Sequence, residues 1–238
     1  MIPYTTEYAI SEFAAHGEIQ LLQKLPPMET IFDVGCNIGE WSRMARNIHT
    51  GAHIHMFEMV PATFDKMINN GVIDAGIHPN NYGLSDSTGI QYFRYTPDND
   101  RVATRVVELN HTNSFIASGF MVRGDEYCAM RHVNTIDFLK LDTEGHEYHV
   151  LRGFGDMIGG TNGKIRIIQF EYGYTAILTK NLLVDFYRML QDHYVIGRLT
   201  PQGVHFKDYH LLDEDFKGPD YVAVHKEELA IIEAIRVK

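Results

Sequence analysis

The strongest constraint on the fold is the way the hydrophobic period changes along the chain. "TIFDV" is a short apolar run of buried-strand type, "GEWSRMARNIH" has helical spacing, "HIHMFEM" reads as strand and "PATFDKMINN" as helix, with Pro61 in the favoured first turn and Gly71 as its stop. The alternation resumes with "DFLKLD", a helix over about residues 144–157, the strand "KIRIIQFEYG" and the helix "NLLVDFYRML". Strands joined by helical crossovers pair in parallel, and the helices cover both faces of the sheet. The expected class is α/β with a doubly wound, mostly parallel sheet. "HYVIGRL", a turn at Pro201 to Gly203 and the late strand "DYVAV" predict an antiparallel end to that sheet.

Two stretches stand outside this rhythm. Ala9, Ile10, Phe13, Ala14, Ile19, Leu21 and Leu22 recur at roughly helical spacing, which predicts one amphipathic helix over residues 5–24, stopped by Pro26 and Pro27. Residues 1–28 therefore read as an N-terminal helical extension. Residues 88–132 hold a strand-like "GIQYFRY", a Thr/Asn/Ser-rich piece to about Gly119 and then "YCAMRHV", the pattern of an inserted hairpin or lid. With no internal repeat, the 238 residues are read as one domain.

Charge and cysteine content narrow the partners. A formal net charge of -10 opposes phosphate backbones, and no Lys/Arg cluster offsets it, so nucleic acid is not an expected partner. Cys36 and Cys128 are too few for a disulfide framework, which points to a reducing, cytoplasmic setting. The opening "MIPYTTEYAISEF" has no signal-peptide pattern, and no apolar run reaches the roughly 18 residues of a membrane span.

"IFDVGCNIGEW" places Asp33, Gly35, Asn37 and Gly39 between the first core strand and the next helix. Gly35 allows a ligand to approach the backbone, so a bulky replacement there is expected to abolish binding while the fold survives; Gly39 allows close packing as the helix begins. Glu58 closes the next strand 25 residues after Asp33, where an acid accepts both hydroxyls of a ribose. The loop misses the dinucleotide spacing G-x-G-x-x-G, and none of the thirteen tyrosines has a lysine four residues on, which weakens a hydride-transfer reading. Phosphate-loop and G-x-S-x-G patterns are absent as well. D-x-G-x-N-x-G after strand one, with an acid after strand two, resembles the S-adenosylmethionine site of class I methyltransferases.

The chain as a whole is similar to the FkbM-type methyltransferases through "DVGCNIG", "FEMVPATFDKM", "NYGLSDSTG", "DFLKLDTEGHEYHVLRG", "IQFEYG" and "GPDYVAV", in that order over about residues 29–225. The resemblance implies seven strands in the order 3-2-1-4-5-7-6, the seventh antiparallel, and methyl transfer to oxygen. It also implies that Asp33, Gly35, Asn37 and Gly39 line the methionine part of S-adenosyl-L-methionine and that Glu58 holds the ribose, with Met59, Leu84, Ser85 and Asp86 beside the adenine. Relatives commonly carry a helix before the fourth strand, for which "HVNTIDFLKLD" leaves almost no room.

In an open α/β sheet ligands bind beyond the carboxyl ends of the strands, where Asp142 and Glu171 emerge from strands four and five. Carboxylates there favour a cationic sulfonium, and one beside a hydroxyl takes its proton. Alternatively, Asp142 and Glu171, with Glu144 nearby, hold a Mg²⁺ that acidifies a bound hydroxyl. Glu144 and Glu147 are read in the first helical turn, where acids are stabilising, and Glu147 is assigned that role alone. His146 is a candidate proton carrier, and H-E-Y-H is not a zinc-protease motif. Tyr172 and Tyr174 read either as sugar-stacking or as rim aromatics. The reading is an O-methyltransferase with a small hydroxylated acceptor, a sugar by resemblance, its choice shaped by residues 99–119. A polyketide-type acceptor, a non-catalytic binding module and an NAD-dependent oxidoreductase are the alternatives.

Overall fold

Two helices, rather than the one expected over residues 5–24, open the chain. α1 (Thr6–His16) and α2 (Glu18–Lys24) meet at Gly17, whose φ is +93°. A Cβ there would fall 2.3 Å from the Thr200 carbonyl oxygen, so a residue without a side chain makes the turn where helix meets sheet. The computed structural model describes residues 6–71, 73–95, 115–160, 163–218 and 220–238. Among the described residues no helix is long and apolar enough to cross a membrane.

The α/β alternation follows. β1 (Thr30–Val34), α3 (Glu40–Ile48), β2 (His53–Phe57), α4 (Pro61–Asn69) and β3 (Ile77–Asn80) form one half of the sheet. Then come β4 (Gly83–Ser85), β5 (Gly89–Tyr95) and β6 (Phe115–Arg123), which make a separate three-stranded sheet in the order β4-β6-β5. The crossover back into the main sheet is helical after all: α5 (Gly124–Arg131) is built from the "YCAMRHV" stretch that the sequence pattern assigned to the insertion. It buries Tyr127 and Cys128, and Tyr127 Oη lies 2.7 Å from His55 Nδ1.

β7 (Thr135–Leu141), α6 (Glu147–Gly153), β8 (Lys164–Phe170), α7 (Thr175–Thr179), α8 (Leu183–Leu190), β9 (Tyr194–Thr200), β10 (Gly203–Phe206), β11 (Tyr221–His225) and α9 (Leu229–Ile235) complete the chain. The main sheet runs β3-β2-β1-β7-β8-β11-β9-β10, with β11 antiparallel to both neighbours. This is the expected 3-2-1-4-5-7-6 order with an eighth strand, β10, added at the edge by the turn after Thr200. Alternate residues of the central strands feed two cores. Phe32, Leu139 and Ile168 pack on one face, while Ile31, Phe138 and Ile167 pack on the other.

Candidate active site

Strand register places four residues along one edge. Val34 stands opposite Phe57 and Leu141, and Leu141 opposite Phe170. The residues that follow, Gly35, Glu58, Asp142 and Glu171, therefore leave the sheet together at its carboxyl end. Backbone bonds continue the ladder that far, with Gly35 N donating to Phe57 O at 3.0 Å, Asp142 N to Val34 O at 3.0 Å and Glu171 N to Leu141 O at 3.1 Å.

Two cavities open over this edge and share Gly35, Asn37, Asp142 and Glu144 on their walls. The smaller is a mixed slot with apolar Phe57, Met59, Leu84, Phe93 and Met121 beside the acid Glu58. Glu58 is buried and already accepts the backbone N–H groups of Asn37 (3.2 Å) and Val60 (2.8 Å), which fixes its carboxylate against the wall. The larger cavity, about 760 Å³, carries Asp33, Lys140, Asp142, Glu144, Glu171 and Asp220 from the sheet side and Phe13, His16 and Glu18 from the N-terminal helices. A slot with apolar walls and one acid, joined at a glycine loop to a carboxylate-rich chamber, offers apolar contact and hydrogen-bond acceptors on one side and negative charge on the other.

A buried ion network that the sequence reading overlooked supports this chamber. Lys140 Nζ lies 2.8 Å from Asp142 Oδ2 and 3.9 Å from Asp33 Oδ1, and its ammonium is 5.6 Å from the Trp41 ring. Burial works against the charge, but Asp142, Asp33, Glu18 and Asp220 outweigh it and raise Lys140 above the usual lysine range. Gln169 Nε2 donates to Glu18 Oε1 at 2.8 Å and to Asp220 Oδ2 at 2.5 Å. Burial and then the Asp220 charge push Glu18 up to about 8, and burial pushes Asp220 to about 6. For Glu171, burial and then the charges of Asp142, Glu147 and Glu144 push the carboxyl up to about 10. The overlooked signal was a lysine inside the strand "DFLKLD": a cation in a run covered on both faces must have buried partners.

The methyltransferase FkbM domain model matches residues 33–194. The hexuronic acid methyltransferase AglP of Haloferax volcanii is 31% identical over 190 residues, covering 75% of this chain and 74% of that protein. The chain belongs to the FkbM methyltransferase family. The 31-O-demethyl-FK506 methyltransferase FkbM of Streptomyces tacrolimicus is 24% identical over 221 residues, covering 74% of this chain and 83% of its own length. Aeropyrum pernix fibrillarin in complex with S-adenosyl-L-methionine aligns at 15% identity and a TM-score of 0.44 over 90% of this chain and 74% of that one, a likeness too distant to bear on the chemistry.

The family stretch "DTEGHEYHVLRG" now has a physical account in this FkbM methyltransferase. Glu147 is buried, and its Oε1 accepts from Thr143 N (2.7 Å), Thr143 Oγ1 (2.9 Å) and Gly145 N (3.2 Å), folding residues 142–146 back on the start of α6. Glu144 is therefore not in the first helical turn as expected. It sits in the loop at φ +53°, on the wall of both cavities. Gly145, at φ +98°, has no room for a Cβ, which would meet Thr179 Cγ2 at 2.7 Å. At Gly153 a Cβ would fall 2.0 Å from the Ser85 carbonyl oxygen, so α6 packs its backbone onto β4. The helix itself ends there, and a separate 3-10 turn follows over Gly155–Met157.

Other expected site residues take different places. Asp33 is fully buried on the larger cavity's wall, accepting from Ser42 Oγ at 2.6 Å. Gly39, at φ +82°, caps α3 and is on neither cavity wall. Leu84 lines the smaller cavity, whereas Ser85 bonds His146 Nε2 at 2.9 Å and Asp86 pairs with His149 Nδ1 at 3.0 Å. His146 is buried on the smaller cavity's wall, which Asp142 and Glu144 also line, and is bound to Ser85. Tyr172 is a core residue whose hydroxyl bonds Glu214, which rules out a rim position; Tyr174 is exposed on the larger cavity. Of the segment 99–119, residues 99–114 lie outside the described residues. Residues 115–119 belong to β6, where Phe115 and Ile116 are exposed and a Cβ on Gly119 would meet Phe93 at 3.2 Å and Met59 at 3.5 Å, both on the smaller cavity's wall.

The raised acids carry a pH dependence. Glu18 and Glu171 hold protons in the folded protein that the unfolded chain has lost above about pH 4.5. Their stabilising contribution is complete below that pH and is lost as pH rises through about 8 for Glu18 and about 10 for Glu171. The depressed histidines His49, His55, His78 and His225 act with the opposite slope, but only below the ordinary histidine value of 6.5. The melting temperature is therefore expected to fall from about pH 6.5 to about pH 9, and Glu18→Gln to flatten the fall. Thermal melts across that range check this; a flat or rising profile would show that these acids are not buried together.

Proposed function

We propose that this methyltransferase transfers the methyl group of S-adenosyl-L-methionine to a hydroxyl of a sugar. The observation that carries the reading is the meeting of Asp142, Glu144 and Glu171 on the wall of the larger cavity, with one carboxylate oxygen of each within 4.8 Å of the others. The cofactor supplies an electrophilic methyl on a sulfonium. Glu58 and the wall of the smaller cavity would hold its adenosine, and the loop from Gly35 to Asn37 with Asp33 would hold its methionine part. Asp142, ion-paired to Lys140, accepts the proton of the acceptor hydroxyl, and Glu171 beside it orients that hydroxyl. Carbohydrate as acceptor is supported by the hexuronic acid methyltransferase relative.

A second reading, a polyketide-type hydroxyl, draws on the FK506-pathway relative at lower identity. Mg²⁺ is compatible with the three carboxylates, and chelator sensitivity distinguishes it from direct proton transfer. The test is incubation with labelled cofactor and a panel of neutral, amino and uronic sugars and macrolide alcohols, read by mass spectrometry. Calorimetry should show S-adenosyl-L-methionine and its demethylated product binding and NAD giving no heat. NAD binding without a response to S-adenosyl-L-methionine would overturn the cofactor assignment, and tight cofactor binding with no product from any acceptor would favour a binding module.

A further inference from the structure

A small cavity of about 10 Å³ adjoins Glu171. Glu171, Glu147, Thr175, Thr179, Asn181 and Phe186 stand on its wall. Two residues of that wall each carry an atom that is sealed from solvent and has no hydrogen-bond partner among the described residues: Glu171 Oε2 and Asn181 Nδ2. One is a carboxyl oxygen and the other an amide donor. They do not bond each other directly, and the cavity that both residues line has about the volume that admits a single water. Buried polar atoms left unsatisfied are costly, and a polar cavity of this size with complementary groups is where an ordered water belongs. The Thr179 hydroxyl donates to the carbonyls of Thr175 and Ala176, which leaves it able to accept a further bond.

We propose that this cavity holds one structural water, which accepts from Asn181 Nδ2 and bonds Glu171 Oε2, and that Asn181 is thereby a positioning residue for the active-site acid. Glu171 lies on the walls of both the large cavity and this small one. Its Oε2 is the sealed oxygen, so anchoring that atom leaves Oε1 as the oxygen available to the chamber that Asp142 and Glu144 share. Asn181 follows Lys180, which ends α7 in a left-handed conformation at φ +61°, and stands with Glu171 on the wall of the same cavity. A carboxyl pinned through one oxygen cannot swing about its side-chain torsions, and that is the form of support an orienting acid requires.

The kinetic half of this inference rests on the proposed methyl transfer, whereas the water itself does not. A high-resolution crystal structure of the wild type should show density for one water within about 3.2 Å of both Glu171 Oε2 and Asn181 Nδ2. Asn181→Leu keeps the volume and removes the donor. It should lose that water and lower kcat by roughly tenfold, the factor carried by one ordinary hydrogen bond, with KM and cofactor affinity nearly unchanged. Asn181→Ser, which returns a donor in the form of a hydroxyl and leaves room for a second water, should recover most of kcat. A cavity without density in the wild type, or a direct Asn181–Glu171 contact, overturns the water. Density present but kcat unchanged in Asn181→Leu overturns the positioning role. Because density decides the water whatever acceptor is found, this inference and the proposed reaction fail separately.

Discussion

Asp142→Asn is expected to lower methyl transfer by roughly 10² to 10⁴-fold, the range typical of a lost general base, while S-adenosyl-L-methionine still binds. Asparagine keeps the shape of the side chain but offers no site for the acceptor's proton, and an alcohol is a poor nucleophile until that proton has a destination. Asp142 follows the last residue of β7 and stands on the wall of both cavities. The substitution also removes the charge of the partner 2.8 Å from the buried Lys140 ammonium, though Asp33, Glu18 and Asp220 still surround it. Some loss of thermal stability therefore accompanies the kinetic loss, and cofactor titration separates the two. If chelator stops the wild type and Mg²⁺ restores it, the carboxylate acts through a metal. Near-normal turnover by Asp142→Asn would show that the acids serve only the fold.

Gly35→Ala is expected to damage the fold itself, by about 2–5 kcal/mol. That figure sums the cost of a left-handed backbone for a residue with a Cβ and the cost of overpacking a filled interior. Gly35 lies at φ +82°, and a Cβ there would fall 1.8 Å from the backbone oxygen of Asp142 and 2.8 Å from its carbonyl carbon. Backbone on the neighbouring central strand cannot step aside as a flexible side chain does. This corrects the expectation that a larger residue at Gly35 blocks only the ligand: the close approach is made by the protein's own chain. A loss of this size is a large share of an ordinary domain's stability, so cofactor binding should fall together with the melting temperature. Gly51→Ala is the control, since nothing lies within 4 Å of its added Cβ. A Gly35→Ala variant that melts like the wild type would mean that β1 and β7 do not pack as described.

What was legible in the chain depended on whether the signal was local. The strands "TIFDV", "HIHMF" and "KIRIIQF" are short runs built around Ile, Val, Met and Phe and flanked by helical spacing, the pattern of segments buried in a parallel sheet. The family stretches "DFLKLDTEGHEYHVLRG" and "IQFEYG" likewise place Asp142 and Glu171 at adjoining strand ends. Helix boundaries were less legible. Gly17 looks like a tolerated glycine inside a helix until Thr200 is known to press on it, and Glu144 keeps helical spacing although Glu147 holds it in a loop. The crossover helix α5 was missed because its apolar residues were read as part of a polar insertion.

By itself, then, the sequence determined the α/β class, the parallel order of the central strands, the family and the acids at the strand ends, because period and motif act over a few residues at a time. Tertiary structure alone decided which of those acids share a chamber and which serve the backbone. It brought Glu18 from α2 and Asp220 before β11 to Lys140 in β7, and it turned Tyr172 inward to Glu214. It also gave Glu171 two faces, one on the large chamber and one on the small cavity beside Asn181. Burial and charge pairing sum over residues that are distant in the chain, and no spacing in the sequence encodes that sum.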